Sequence, residues 1–236
     1  MKGFVVMAMF LASFAHAAWS NYTEVRDLEL DAADVEQIDI DAGAGSMSVK
    51  GVDGLNKILV KATIEVPDAD EDEAIKFIDK KMRLTLDKRG ERAQLQAFFE
   101  KGFFGGSKGA GIDLEVSVPL GIAVHIDDGS GSIEVADVAS DVTIDDGSGS
   151  IDVRGAASLF IDDGSGSIDV KMIGGDVSIT DGSGGIKVHE VAGSVTIDDG
   201  SGSISVSDVE QDLVIVEDGS GSVSISNVGG TVEQDS

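Results

Sequence analysis

Apolar and polar residues alternate along most of this chain, and the alternation comes back into step about every 18 residues. Ile133, Ile151, Ile168, Ile186, Ile204 and Val223 each follow a Gly-rich turn, and two residues further on stand Val135, Val153, Val170, Val188, Val206 and Ile225. A third column runs Val138, Ala156, Ile173, Val191, Val209 and Val228. Return segments supply Val142/Ile144, Leu159/Ile161, Val177/Ile179, Val195/Ile197 and Leu213/Ile215. A period of two predicts strands with one buried and one wet face, and β-branched residues suit the inward positions.

The turns between these strands repeat one phrase. It reads Asp128-Gly-Ser-Gly-Ser-Ile133 and recurs from Asp146, Asp163, Asp181, Asp199 and Asp218, at spacings of 18, 17, 18, 18 and 19 residues. A fixed period of this kind marks a stacked-repeat architecture. Each unit reads strand, bend, strand, tight turn, with no room for a crossover helix. Stacking the units in parallel buries the columns against one another, which predicts an all-β parallel β-helix (β-solenoid). With strands about 4.8 Å apart, six coils span roughly 25–30 Å. The glycines belong where the chain turns with positive φ and where a Cβ would obstruct its neighbour. An up-and-down β-sandwich is the alternative, but it does not require such strict column identity.

The N-terminal part holds a degenerate copy, Ile38-Asp-Ile-Asp-Ala-Gly-Ala-Gly-Ser-Met-Ser-Val-Lys-Gly-Val52, which aligns without a gap on Val142 to Ala156. The expected organisation of 18–236 is one solenoid domain: a first coil at 36–52, an insertion at 53–119 and regular repeats at 120–236. Strands are predicted at Ile58–Val66, Met82–Asp87, Ala93–Phe99 and Ile112–Val118. A helix is predicted from Asp70 to Met82, with acids in its first turn, Lys80 and Lys81 near its end, and an apolar stripe of Ala74, Ile75, Ile78 and Met82. The insertion is expected to cap an open end of the stack.

Residues 1–17 read as a secretory signal: Met1-Lys-Gly, an apolar run from Phe4 to Phe14, and an Ala15-His-Ala17 site that places cleavage between Ala17 and Ala18. The run is too short for a mature membrane span, no Cys follows it to carry a lipid, and no later segment is apolar enough to cross a bilayer. The expected destination is the periplasm, the cell surface or the medium. With no cysteine anywhere, burial and ladder hydrogen bonds must hold the fold without disulfides.

Charge sharpens this picture. Residues 112–236 carry 25 acids against Arg154, Lys171 and Lys187, a net of −22, while residues 18–111 carry 19 acids and 13 bases. Such polarity argues against nucleic acid, whose phosphates need Lys and Arg. It favours a cationic protein, peptide or envelope component as partner. Self-association, where it occurs, is expected through the solenoid ends.

Stacking places Asp128, Asp146, Asp163, Asp181, Asp199 and Asp218 in one column, beside Asp127, Asp145, Asp162, Thr180, Asp198 and Glu217. Like charges about 5 Å apart repel by roughly 0.8 kcal/mol in water, and by more when partly buried. Two readings follow. In the first, each second Asp accepts backbone N–H groups inside its own turn, as Asp does in Asx-turns, and solvent screens the rest. In the second, the column is a row of Ca²⁺ sites rich in carboxylate oxygen. The first is preferred, because the Ca²⁺ β-roll motif puts its acid after the glycines whereas here the acid precedes them.

Other chemistry is thin. His125 and His189 have no partner set for zinc, and serines repeated beside aspartates are the opposite of the unique trio that nucleophilic catalysis needs. No catalytic residue and no cofactor are assigned. One contrasting segment is Ala97-Phe-Phe-Glu-Lys-Gly-Phe-Phe-Gly-Gly-Ser-Lys-Gly-Ala-Gly111. It holds Phe98, Phe99, Phe103 and Phe104, flanked by Lys101 and Lys108. Either Phe98 and one of the later pair plug the solenoid end, or the loop is an aromatic contact for a partner or membrane interface.

Four features together carry a resemblance: the degenerate coil Ile38–Val52, the long insertion, the strand Leu114-Glu-Val-Ser-Val-Pro119, and the Gly-Ser-Gly-Ser-Ile ladder after it. On these the chain resembles the bacterial adhesin-like family of exported β-strand-repeat proteins, head-GIN (auto-transporter-adhesin-like) domains of unknown function. The resemblance implies an extracytoplasmic β-solenoid with a role in adhesion or envelope-stress signalling. It implies no agreed ligand and no catalytic residues. The expected function is a non-enzymatic binding or scaffold solenoid with acidic faces. A cation-stabilised solenoid and a carbohydrate-active enzyme are the alternatives.

Overall fold

A computed structural model describes residues 21–100 and 109–234. They form a β-solenoid of about 18 residues per coil, flattened into two ten-stranded sheets, with one helix. The N-terminal part runs β1 (Tyr22–Asp31), β2 (Gln37–Ala42), β3 (Met47–Val52), β4 (Lys57–Val66), α1 (Glu71–Lys81), β5 (Met82–Arg89), β6 (Arg92–Phe99) and β7 (Gly111–Pro119). The repeats follow as β8 (Ala123–Asp128), β9 (Gly131–Ala136), β10 (Val142–Asp146), β11 (Gly149–Ala156), β12 (Leu159–Asp163), β13 (Gly166–Ile173), β14 (Val177–Asp181), β15 (Gly184–Val191), β16 (Val195–Asp199), β17 (Gly202–Val209), β18 (Leu213–Glu217), β19 (Val223–Val228) and β20 (Val232–Gln234).

One sheet is ordered β1-β4-β7-β3-β9-β11-β13-β15-β17-β19 and the other β20-β18-β16-β14-β12-β10-β8-β2-β6-β5. From β8 to β20 each strand pairs in parallel with the same strand of the next coil, one repeat along. Ile133 thus faces Ile151, which faces Ile168, and Val142 faces Leu159. The predicted columns are therefore the core: Ile133, Val135, Ile151, Val153, Ile168, Val170, Ile186 and Val188 are all at most 1 % exposed. Burying β-branched residues at this density from both sheets is what stabilises a disulfide-free stack.

The Gly-Ser-Gly turn links the two sheets and keeps the ladder unbroken. Gly147, Gly164, Gly182 and Gly200 donate N–H to the carbonyls of Asp128, Asp146, Asp163 and Asp181, at 2.8–3.0 Å. The second glycine is obligatory for two reasons. At Gly166 φ is +154°, and a Cβ would lie 1.5 Å from the Gly149 carbonyl oxygen. No side chain survives that approach.

The insertion joins the stack differently from the sequence expectation. The degenerate coil is present as β2 and β3, whose Ile38, Ile40, Met47 and Val49 pair with Val124, Ile126, Ile133 and Val135. But β6 pairs in parallel with β2, and β7 with β3, so residues 92–119 add a further coil on its far side. The chain then skips back over the degenerate coil to enter β8. Beyond this extra coil, β4 and β1 extend one sheet and β5 the other, all antiparallel.

The helix carries the chain from β4 to β5, and so from one sheet to the other. Asp70 is its N-cap, accepting the Glu73 N–H at 2.9 Å, and Met82 lies one residue past its end. Its buried side is Ala74 and Ile78, joined by Phe77; Ile75, predicted inward, is 38 % exposed. β1 was not anticipated, because its inward positions read Tyr22, Glu24, Arg26, Leu28 and Leu30. A Glu24–Arg26 ion pair of 2.6 Å sits where the pattern calls for apolar residues.

Candidate functional site

The most unusual feature of the fold is its aspartate column. Alternation runs from Val124 through Ile126 to Asp128, so the second Asp of each repeat points inward with the isoleucine before it. Asp128, Asp146, Asp163, Asp181 and Asp199 are 0–4 % exposed, and each is register-paired with the next. The first Asp of each pair points out: Asp127, Asp145 and Asp162 are exposed.

Four of the five make one useful contact each. Oδ1 of Asp146, Asp163, Asp181 and Asp199 accepts the N–H of Ser148, Ser165, Ser183 and Ser201, at 3.0–3.2 Å. These are Asx-turns, and they orient the Gly-Ser-Gly segment. The other oxygen, Oδ2, has no hydrogen-bond partner in any of the five residues. For Asp181 and Asp199 it points towards the second turn glycine, 3.2 Å from where a Cβ of Gly184 or Gly202 would be.

The electrostatic consequence follows from burial. Desolvation pushes the carboxyls of Asp128, Asp146 and Asp181 up to about 6, and those of Asp163 and Asp199 up in the same direction. The turn N–H groups pull the other way, and neighbouring carboxylates add to the rise. The column is therefore a buried stack whose carboxyls keep their protons to higher pH than surface carboxyls do.

Asp218 continues the column in register, close enough to act on the Asp199 carboxyl, but it does not share the burial of the other five. Its repeat is one residue longer: Asp198 faces Glu217 instead of Val216, and the extra residue forms a bulge. Asp218 is half-buried and accepts a 2.8 Å hydrogen bond from Gln234 Nε2.

As ligands for Ca²⁺ the five offer pairs, not clusters. Among the described residues no three His, Cys, Asp or Glu side chains converge as a metal would need. A hard cation seeking six to eight oxygens would have to draw on backbone carbonyls. His189 instead bridges Glu190 and Asp208, at 3.1 and 2.9 Å, and contacts Ser207 Oγ at 2.9 Å. His125 is half-buried in β8.

The phenylalanines divide. Phe99, not Phe98, turns to the core, where its ring stacks on Phe77 with centroids 5.1 Å apart. Phe98 lies on the other side of β6 against Gly43, as strand alternation requires. Phe103, Phe104, Lys101 and Lys108 lie outside the described residues, as do Ala17, Ala18 and the whole signal segment. Among the described residues no helix is long and apolar enough to cross a membrane.

A residue the sequence reading passed over is Phe160. It stands at an outward position of β12, 45 % exposed, with Thr143 and Ser178 on either side and Asp162 two residues along. Its signal was available: it sits between inward Leu159 and Ile161, so alternation places it outside. Shallow clefts occur among the described residues. One of about 330 Å³ lies near Asn21, Pro67 and Asp113, and one of about 510 Å³ runs across four coils beside Met172, Glu190, Asp208 and Asn227. Neither contains a ladder aspartate.

No protein-family model matches the chain, and no curated protein matches it. Among solved structures it is similar to a candidate adhesin from Bacteroides fragilis, at 13 % identity over 90 % of this chain and 97 % of that one, with a TM-score of 0.43. It is also similar to a candidate lipid-binding protein from Parabacteroides distasonis (14 % identity, 91 % and 97 % covered, TM-score 0.41). A candidate cell-adhesion protein from Clostridium sporogenes aligns at 9 % identity over 92 % of this chain and all of that one, with a TM-score of 0.34. Likeness at these scores carries no argument about ligand or activity.

Proposed function

We propose that this chain is a non-enzymatic, exported, adhesin-like binding or scaffold solenoid that meets a cationic partner through its acidic outer faces. The observation that carries this reading is the repetition of acids on those faces over three successive coils. Asp127, Asp145 and Asp162 stand in one outward row, and Glu134, Asp152 and Asp169 in another. Each row runs three coils before Thr180 or Lys187 interrupts it, and its carboxylates, about 4.8 Å apart, offer a short repetitive acidic field. It suits an extended or multivalent cationic surface, whereas catalysis needs one level of the stack to differ from the rest. Phe160 supplies an apolar contact beside the first row, two residues from Asp162.

The test is binding of the intact chain to surfaces of poly-lysine, poly-glutamate and heparin, at low and high salt. The reading expects capture on poly-lysine alone, weakening steeply as salt rises. Weakening by Phe160→Ser without loss of fold would place the contact on the face of β12. Capture by poly-glutamate or heparin, or indifference to salt, overturns the reading.

A further inference from the structure

From the extra coil of β6 and β7 onward, each coil is covered by the next until the last. In β17 and β18, Ile204, Val206, Val209, Leu213 and Ile215 are at most 2 % exposed. The same columns in the final coil are open: Val223, Ile225 and Val228 are only partly buried, and Val232 is 47 % exposed. β19 and β20 are the outermost strands of their sheets, and no described residue lies beyond them. The opposite end is built otherwise, with antiparallel edges at β1 and β5 and α1 packed into the core.

An edge of this kind is a template for another strand. Lysine and proline are the usual devices that blunt it. β19, Val-Ser-Ile-Ser-Asn-Val, has neither. Its outward backbone groups and its half-covered Val223 and Ile225 offer what an added strand needs: main-chain partners, and an apolar seat for alternate side chains. The surroundings choose the chemistry of that strand. From residue 188 onward the chain has ten acids and no lysine or arginine, and Asp212, Glu217, Asp218 and Glu233 belong to or flank the last coil. A second copy would bring the same carboxylates to the same edge, so like charges oppose pairing of two such ends.

We propose that the β19–β20 edge is a docking site for an extended segment of a partner protein that alternates apolar with basic residues and adds to the sheets as a further strand. This rests on the cationic-partner reading above and narrows it to one end of the solenoid. At β20 the apolar residues continue the Val232 column and a basic one meets the outward Glu233; at β19 they continue the Val223 and Ile225 columns beside the outward Ser224 and Ser226.

Fluorescence anisotropy of the intact chain with three synthetic peptides tests it. The first alternates Lys and Val, the second is the same peptide N-methylated at every residue, and the third alternates Glu and Val. The Lys-Val peptide is expected to bind, and N-methylation to weaken it at least about tenfold, because charge and side chains stay while the backbone donors are lost. Glu233→Lys, at an exposed position, is expected to weaken the Lys-Val peptide several-fold with the melting curve unchanged. Equal binding of the N-methylated peptide overturns edge docking but leaves the acidic-face reading standing. If no cationic peptide binds, both fall. A concentration-dependent dimer in sedimentation that Glu233→Lys alters would make a second copy the occupant and overturn the proposal.

Discussion

Replacing Asp146 by Asn removes one charge from the buried column and keeps the size of the side chain. Oδ1 remains to accept the Ser148 N–H. In the folded chain burial raises this carboxyl from 3.8 to about 6, whereas in the unfolded chain it returns to its ordinary value. A folded value above the unfolded one means that the native state holds the proton more tightly. That stabilisation is complete below about pH 4, is lost as pH rises through the window up to about 6, and is absent at neutral pH. Ionising Asp146 in the fold then costs about 3 kcal/mol, and at 3 % exposure the side chain has little solvent to screen it. The Asn variant is therefore more stable than the wild type at about pH 7.5, by up to about 3 kcal/mol or roughly 6–12 °C in Tm, and the difference closes towards about pH 4. Urea unfolding followed by far-UV circular dichroism, at constant ionic strength with EDTA, measures both chains across that range. Wild-type stability that stays flat or climbs from pH 4 to 7, with the Asn variant the weaker at neutral pH, refutes the reasoning. It would mean that the ionised Oδ2 atoms are paired in solution.

Three further outcomes follow from the same geometry. Gly166→Ala puts a Cβ 1.5 Å from the Gly149 carbonyl at φ +154° and is expected to cost more than about 3 kcal/mol, whereas Gly54→Ala, with open space around it but φ +69°, costs about 1 kcal/mol; thermal melts compare the two. Asp70→Ala removes the cap on Glu73 and is expected to lower stability by about 1 kcal/mol, read as a small downward shift of the urea midpoint. Melting in millimolar Ca²⁺, in EDTA, and in NaCl of matched ionic strength separates a proton-holding column from a metal-holding one. Equal effects of Ca²⁺ and NaCl are expected, and a rise of many degrees specific to Ca²⁺ would assign the column to metal.

The repeat was legible because a fixed period locks register: once Ile133, Ile151 and Ile168 are aligned, every pairing between them follows. The extra coil was not, because Ala93, Leu95 and Ala97 of β6 lack the Gly-Ser-Gly punctuation that marks the others. Nothing local says that a strand of the insertion will lie parallel to β2 instead of simply covering it. β1 was hidden by an inward Glu24–Arg26 pair that breaks the apolar alternation. The aspartate column is the instructive case. Period two already carried Val142 and Ile144 inward to Asp146, and only the habit of placing acids in water assigned that column to solvent. The Asx-turn reading was sound for Oδ1 and silent about Oδ2.

That second oxygen sets the remaining question, and the repeats frame it. An Asn side chain would accept the same Ser N–H through its amide oxygen and would bring no charge into the core. Asn is also at home in tight turns. Yet each of the five buried positions is Asp, at a cost of about 3 kcal/mol apiece at neutral pH where the carboxyl reaches about 6. Turn geometry alone therefore does not account for the column. What Asp has and Asn lacks is a proton that can leave. Ionised, neighbouring carboxylates one coil apart repel through a medium that screens poorly; protonated, they do not. The column is then expected to be more stable in acid than in alkali, the reverse of an ordinary acidic surface with paired carboxylates. Asp163→Asn, in the middle of the five, puts the strongest form of this to the test, since its amide stays neutral whatever the pH. If cooperativity of the column matters, that one change flattens the pH profile more than Asp199→Asn at the end; equal flattening by both would show five independent sites.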